Sequence, residues 1–399
     1  MKIAFFVGSA DISGGTYVVF QHALHAIQEG HDVTLVLQYP YVASQRKWHP
    51  ALDVLRIVQI WDLGEEHFDL AVATWWRTAT ELHKINADQY AYFVQSIESR
   101  FYPDAERPLQ SLVDSTYDLG LPVVTEATWI QEHLRERHGN DARLVRNGIR
   151  KDLYRLDGPA HAPRNRDLRV LVEGPFGVFF KNVGRSLKLA RNSRADQTWL
   201  LTSSQLRWYP GVDRLFSRVP IDQVPAIYRS CDVIVKLSYV EGMFGPPLEM
   251  FHCGGTAIVY NVTGHDEYIR NGENALVLQR DDEAGVVNAL NLLKDSPDEL
   301  QRLKHNAIAT AEAWPDWDTS STQFEAVLRQ MHALPAVDRT ELRERNEHFW
   351  ARYVADENER LKHIPQHVSL RKRVGARLYR IRAIHDFRQW CRYIGEGWF

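Results

Sequence analysis

Residues 231–255, CDVIVKLSYVEGMFGPPLEMFHCGG, constrain the fold more than any other stretch of the chain. Residues 231–238 are a short apolar run rich in Val and Ile with polar residues at its edges, the pattern of a strand buried within a parallel sheet. A tight loop follows with Glu241, Gly242, Met243, Phe244 and Gly245, and Pro246-Pro247 then opens a helix through Leu248, Glu249, Met250 and Phe251 that stops at Gly254-Gly255. Proline suits a first helical turn, where its missing N–H has no partner to lose. This order points unpaired backbone N–H groups and the positive end of the helix dipole at the loop, an arrangement that binds anions and most often phosphate. Gly242 and Gly245 allow a ligand close to the backbone. Glu241 leaves the strand and Glu249 sits about one turn into the helix. Carboxylates repel phosphate but accept hydrogen bonds from sugar hydroxyls, so the pairing points to a nucleotide sugar. Without a ligand, the same glutamates are solvated caps around an ordinary strand-to-helix turn.

The whole segment carries a more specific signal. Glu241, seven residues and then Glu249, with EGMFGPPLEMFHCGG between and beyond, resembles the signature of retaining nucleotide-sugar glycosyltransferases of family 4, the glycosyl transferases group 1. The run AIVYNVTGHDEYIRNGENALVL at 257–278 resembles the rest of that signature. The resemblance spans residues 1–332. It implies an α/β protein of GT-B fold, with two Rossmann-like domains whose parallel sheets face across a cleft. It further implies that Glu241 orients the donor sugar, that Glu249 accepts from the ribose hydroxyls, and that Met243, Phe244, Gly245 and Pro246 hold the diphosphate.

A chain of 399 residues is too long for one core and fits two domains of ordinary size. Ile3–Val7 reads as a first strand, followed by Gly14-Gly15 and an amphipathic helix. The spacing of Gly8, Gly14 and Gly15 does not match the dinucleotide fingerprint, which disfavours a nicotinamide enzyme. The family places the Gly14-Gly15 loop at the cleft; a ligand-free helix-starting turn is the alternative. Strands at 70–73 and 91–94 end in polar and aromatic residues, and in open α/β sheets ligands gather at those ends. Trp75, Trp76, Arg77, Thr78, Gln95, Glu98, Arg100 and Tyr102 are therefore candidates for the acceptor side, with packing as the competing role. Gln95 stands where many family members place a His. The segment 144–154, LVRNGIRKDLY, resembles the Asn-Gly stretch that closes the first domain.

The expected division is a first domain over 1–156, a linker over 157–167, a nucleotide-sugar-binding domain over 168–332 and a helical extension over 333–399. In the family a Gly-Arg pair and a later Lys grip the diphosphate. Lys181 and Asn182 match the later part, while Glu173-Gly174-Pro175 stands where the Arg is expected, so either Arg185 substitutes from the helix or the phosphate has one cation fewer. Arg218 and Val219 match backbone that meets the nucleobase. Asp316-Trp317-Asp318 has the form of a metal-binding string but precedes a helix, and Asp318, Thr319 or Ser320 is read as its N-cap. No metal and no cofactor beyond the nucleotide sugar is expected.

The tail differs in character. Residues 338–363 are mixed-charge and helical. Beyond them eight arginines and lysines between Arg371 and Arg392 face one acid, Asp386, around an apolar stripe at helical spacing. Such a segment, 366–399, can lie on an anionic membrane with Trp390, Tyr393 and Trp398 at headgroup depth, pack on the catalytic domains, mediate a homodimer, or touch a polyanionic acceptor. The net charge of −3 gives no reason to expect nucleic acid. Three cysteines without metal or redox spacing, and no apolar run long enough to span a bilayer, fit a cytoplasmic protein, peripheral to the membrane if the tail lies on it. The reading is a transfer from a nucleotide sugar to a hydroxyl of a glycan or lipid-linked acceptor. Its rivals are a GT-B sugar-nucleotide hydrolase or epimerase and a non-enzymatic scaffold.

Overall fold

The computed structural model describes residues 1–40, 48–363 and 389–395. Its apolar runs form two sheets. The first has β1 (Lys2–Val7), β2 (Asp32–Leu37), β3 (Arg56–Gln59), β4 (His67–Ala73), β5 (Asn86–Val94), β6 (Val123–Thr125) and β7 (Arg143–Leu144), in the order β3-β2-β1-β4-β5-β6-β7. The second has β8 (Arg169–Glu173), β9 (Gln197–Thr202), β10 (Arg214–Ser217), β11 (Val233–Lys236), β12 (Thr256–Tyr260) and β13 (Leu276–Leu278), in the order β10-β9-β8-β11-β12-β13. All neighbours run parallel; Phe5 lies opposite Leu35 and Val72, and Val235 opposite Val172 and Ile258. The first six strands of each sheet share one winding order, which reverses between β1 and β4 and between β8 and β11. Those two switch points are where an open α/β sheet leaves a crevice for ligand.

Helices cover both faces. The first domain contributes α1 (Gly14–Gln28), α2 (Ala51–Val54), α3 (Trp76–Glu81), α4 (Arg107–Ser115) and α5 (Thr128–His138). The second contributes α6 (Val183–Asn192), α7 (Val224–Tyr228), α8 (Gly245–His252), α9 (Glu283–Asp295) and α10 (Pro297–Ala313). Ser13 starts α1 by accepting the Thr16 N–H at 3.0 Å.

The last two helices depart from the expected division. α11 (Trp317–His332) and α12 (Arg339–Lys362) follow the second sheet in sequence but pack on the first domain. Phe324, Leu328 and Met331 of α11 join Phe5, Leu70 and Phe93 in one core, and Phe324 stacks on the buried His22 at 3.9 Å. Leu342, Phe349 and Trp350 of α12 pack around Ile130 and Trp76. Conversely, Ile149 and Tyr154 lie in the core of the second domain, ahead of the polar stretch 157–167. That stretch has no regular element and is tied along the second domain, with Arg164 Nε 2.8 Å from the Cys231 carbonyl.

Between residues 1 and 363 the chain thus crosses between domains twice, and these two crossings touch. Ile149 N–H donates to Pro315 C=O at 3.1 Å, Trp317 N–H to Ile149 C=O at 3.3 Å, and Trp314 Nε1 to Asn147 C=O at 2.8 Å. The N-cap of α11 is Asp316, which accepts the Thr319 N–H at 2.8 Å, two residues before the earliest cap read from sequence. The Asp-Trp-Asp string is the start of this helix.

Residues 366–388 and 396–399 of the basic tail lie outside the described residues. Within 389–395, Tyr393 is buried against Phe176, with ring centroids 5.2 Å apart, and Trp390 Nε1 donates to the Trp208 carbonyl at 3.2 Å. These two aromatics, assigned to headgroup depth on sequence, contact the second domain. Among the described residues no helix is long and apolar enough to cross a membrane.

Where the crossings touch, a Cβ on Gly148 would stand 2.3 Å from the Asp316 carbonyl oxygen and 2.4 Å from the Trp317 nitrogen. Both are backbone atoms with no rotamer to yield. Gly148→Ala is expected to cost about 1–3 kcal/mol or more, the range of an overpacked core, read as a lower thermal midpoint. Gly14→Ala, whose methyl meets nothing within 4 Å, is the control and should not lower it.

Candidate active site

At the switch point of the second sheet, β8 ends on Glu173 and the neighbouring β11 ends on Lys236. Lys236 Nζ lies 2.5 Å from Glu173 Oε2, and its side chain is only 3% exposed. The buried ammonium keeps its charge because the half-buried Glu173 carboxylate satisfies it; a lone ammonium would be driven neutral. Burial works against the Lys236 charge, but Glu173 and Glu241 outweigh it, and its pKa ends above the ordinary value. Sequence reading took 231–238 as one apolar strand and passed over this residue. The visible signal was a lysine inside a Val-Ile run.

Five residues on, Glu241 is buried with Oε2 2.7 Å from Lys181 Nζ. Burial pushes its carboxyl up, the Lys181 and Lys236 charges pull it down, and the net effect leaves it below the usual value and so ionised. Glu249, on α8, goes the other way. Burial and then the neighbouring Glu173 charge raise it to about 7, against the pull of the Tyr154 and Tyr228 hydroxyls and of Lys236. The two glutamates read from sequence as a pair therefore differ: one is held charged, the other titrates near neutrality.

The loop between them is fixed from both sides. Phe244 C=O accepts from the Tyr268 hydroxyl. Gly245 N–H donates to Met243 C=O at 3.0 Å, and α8 opens with Pro246 and Pro247 in its first turn as expected. Met243 N–H donates not to a phosphate but to Glu126 Oε1 of the first domain, at 2.9 Å. Glu126 was not singled out on sequence, and neither was Glu267. Glu126 also accepts from Asn147 Nδ2 at 2.7 Å. Burial, and then the Glu241 charge after the hydrogen bonds that oppose it, raise the Glu126 carboxyl to about 7.

Further contacts close the cleft around this loop. Trp129 Nε1 donates to Gly242 C=O at 3.0 Å, and Glu267 accepts the Thr128 N–H at 2.5 Å and Arg146 Nε at 3.0 Å. Phe101 and Phe180 stack across the cleft at 4.6 Å. Gly242 owes its identity to this approach: a Cβ there would lie 2.0 Å from the Gln95 carbonyl oxygen and 2.8 Å from Glu126 Oε1.

The other predicted residues fall into groups. Gly14 is open, and Gly15 faces the Gln95 side-chain amide. Asn182 takes a left-handed φ of 53° and braces the end of β11 through Nδ2 to Leu237 C=O at 3.1 Å. Arg218, also left-handed, reaches Asp11 across the cleft at 2.6 Å, and Val219 packs on the second core. Arg185, the residue that sequence offered in place of the arginine expected at Glu173-Gly174-Pro175, pairs with Glu283 at the start of α9. On the acceptor side, Trp76 is completely buried. Its N–H donates to Glu98 at 2.7 Å, its Nε1 to the Tyr102 hydroxyl at 3.0 Å, and Arg77 covers its ring at 4.9 Å. Glu98 is buried, and burial lifts it to about 8. Trp76, Glu98 and Tyr102 thus build the wall behind the cleft in this closed state. Gln95 Nε2 donates to Thr74 C=O at 3.3 Å. Among the described residues no group of three or more His, Cys, Asp or Glu is placed to hold a metal.

Closure is expected to depend on pH through Glu126. Its carboxyl titrates near about 4.3 in a solvated, open cleft and about 7 in the closed one, so closing takes up a proton. The closed state is favoured most at low pH and loses this contribution as pH rises through about 7. Wild-type protein should expand in small-angle scattering between about pH 5 and about pH 8, and Glu126→Gln, neutral throughout, should not. Asn147 Oδ1, buried without a hydrogen bond, lets that amide turn to meet the new group. Matching curves for the two proteins would count against Glu126.

Comparison with known proteins bears on the fold and on the segment around the loop. Residues 209–310, which include β11, the loop and α8, match the family described as Glycosyl transferases group 1. The O-antigen biosynthesis protein RfbC of Myxococcus xanthus is 28% identical over 222 residues, 53% of this chain but 17% of that much longer protein. Among solved structures, sucrose-phosphate synthase from Thermosynechococcus elongatus superposes with a TM-score of 0.67 at 16% identity, covering 84% of this chain and 99% of that one. Anabaena HepE in complex with UDP-glucose gives 0.66 at 14%, covering 83% and 100%. WaaG, a glycosyltransferase involved in lipopolysaccharide biosynthesis, gives 0.64 at 12%, covering 82% and 99%. The chain therefore has the GT-B fold, two Rossmann-like domains of parallel sheet with a helical C-terminal region, and its residues 209–310 match the glycosyl transferases group 1 family.

Proposed function

We propose that the protein is a glycosyltransferase that moves a sugar from a nucleotide-diphosphate sugar to an acceptor hydroxyl, with retention at the anomeric carbon, in the synthesis of a polysaccharide or other glycoconjugate. The observation that carries the reading is Glu241, kept ionised by Lys181 on the loop that starts α8, inside a cleft closed by the first domain. A carboxylate there accepts hydrogen bonds from sugar hydroxyls and repels phosphate, while Lys181 and the N-terminal end of α8 attract it. The UDP-glucose complex of HepE and the O-antigen role of RfbC support the donor class and the product class.

In this scheme Glu249 accepts from the ribose, Glu241 orients the sugar and Lys181 turns toward the departing diphosphate. The bond from the anomeric carbon to the phosphate oxygen breaks as the acceptor oxygen bonds to the same face, and the acceptor proton passes to the leaving phosphate oxygen. Catalysis is electrostatic and positional, and we propose that it needs no metal. The chelator EDTA should then leave turnover unchanged. The basic tail is proposed to hold a lipid-linked acceptor or an anionic surface; a form without residues 366–399 should partition less into anionic vesicles.

The test is a panel of UDP-, GDP-, dTDP- and ADP-sugars scored by thermal shift and donor turnover. One series should stabilise the protein. Glu249→Ala should weaken its binding roughly 10- to 100-fold, the worth of a charged hydrogen bond. Glu241→Ala should cut turnover about 100-fold with less effect on affinity. Product NMR coupling constants report the anomeric outcome. Equal kinetics for both variants and wild type would remove the site assignment. Fast donor hydrolysis unaffected by any acceptor would favour the hydrolase instead.

A further inference from the structure

Five titratable side chains converge on the loop: Glu173 from β8, Lys181 from the turn before α6, Lys236 from β11, Glu241 from the loop and Glu249 from α8; the first domain adds Glu126. The two cations differ in freedom. Lys181 has a side chain 24% exposed, on a turn at the cleft, and pairs with Glu241. Lys236 is 3% exposed, comes from the middle of the sheet beside Gly174, and pairs with Glu173.

A diphosphate entering this site brings at least two negative charges. Of the two lysines only Lys181 can turn to meet it, and in turning it leaves Glu241. A buried carboxylate stripped of its partner beside an anion is costly and takes up a proton, which would end its use as an acceptor for sugar hydroxyls. The other cation at this loop is Lys236, which ends β11 five residues before Glu241 and is buried and held in place by Glu173.

We propose that Lys236 is the positioning residue of this site, the fixed counter-charge that keeps Glu241 ionised while Lys181 is handed over from Glu241 to the donor diphosphate. The inference rests on the nucleotide-sugar reading above. It also gives a second cation a part in a site where Glu173-Gly174-Pro175 stand in place of an arginine: Lys236 acts through Glu241 and Lys181 alone is mobile.

The experiment titrates full-length protein with UDP, GDP, dTDP and ADP across the acid-to-neutral range, counting protons taken up on binding from the buffer dependence of the calorimetric enthalpy. Turnover of the matching UDP-, GDP-, dTDP- or ADP-glucose is measured in parallel. Lys236→Met should take up about one proton more than wild type on binding, and its affinity should fall up to tenfold per pH unit as pH rises. Its turnover should drop at least tenfold while affinity at low pH persists. Lys236→Arg restores the charge and should restore the wild-type proton count. Lys181→Met should lose affinity at every pH without the extra proton.

Glu173→Gln separates this role from a structural one and serves if Lys236→Met does not fold. Freed from Glu173, Lys236 acts more strongly on Glu241, so the acid limb of turnover should move to lower pH. A turnover loss in Glu173→Gln of tenfold or more, as expected for Lys236→Met, would show that Lys236 only props Glu173, and would overturn the proposal. So would a wild-type proton count and turnover in Lys236→Met. Wild-type protein that bound none of the four nucleotides would instead overturn the nucleotide-sugar reading, and the handover with it.

Discussion

Taking a carboxylate out of water costs several kcal/mol unless a cation accompanies it, and around the loop after β11 the protein buries several at once. Glu241 survives as an anion because Lys181 touches it and Lys236 lies close; Glu249, with Glu173 beside it, is pushed toward neutrality. The strand order makes this possible. Only because β8 and β11 are neighbours, although about sixty residues apart, does Glu173 end one strand beside the Lys236 that ends the next. The local pKa values therefore follow from the topology of the sheet.

Closure adds another layer to the same problem. Glu126 brings a further carboxyl to the loop, and its oxygen takes the Met243 N–H that the sequence pattern had pointed at phosphate. An N–H at a helix-starting loop attracts whatever anion can reach it, and in the closed molecule a side chain of the opposite domain reaches it. Glu267 does the reverse service, presenting a carboxylate of the second domain to the first-turn N–H of α5. Each domain thus places an acid at the N-terminal end of a helix of the other, so closure satisfies backbone donors on both sides.

The difference between what was legible in sequence and what was not follows from range. The strand at 231–238, the proline-opened helix and the pairing of Glu241 with Glu249 are written in consecutive residues, so periodicity and turn chemistry expose them. The return of α11 and α12 to the first domain is not. Their apolar stripes state that a face is buried but not against which sheet, and Phe324 finds its partners in His22 and Phe93 some 230–300 residues earlier. Lys236 was local yet unread, because a strand pattern averages over a single charge. Its meaning depends on Glu173, a partner that only strand order supplies. Asp316 was missed as a cap by two positions, a typical error at helix ends.

The two loop glycines divide the same way. Both were read as room for a ligand. Gly245 has nothing within 4 Å of where a Cβ would stand, so that space is open to one. Gly242 is different: the Gln95 carbonyl and Glu126 of the other domain occupy the space, and a Cβ on Gly264 would in turn strike the Gly242 carbonyl oxygen at 2.0 Å. A missing side chain at 242 is thus what lets the domains meet at the loop that bears Glu241. Lys236, Glu241 and Gly242 thus lie in one short segment, which carries a cation that bears on the site and the gap that admits the other domain, while Lys181, sixty residues earlier in the chain, supplies the direct partner of Glu241.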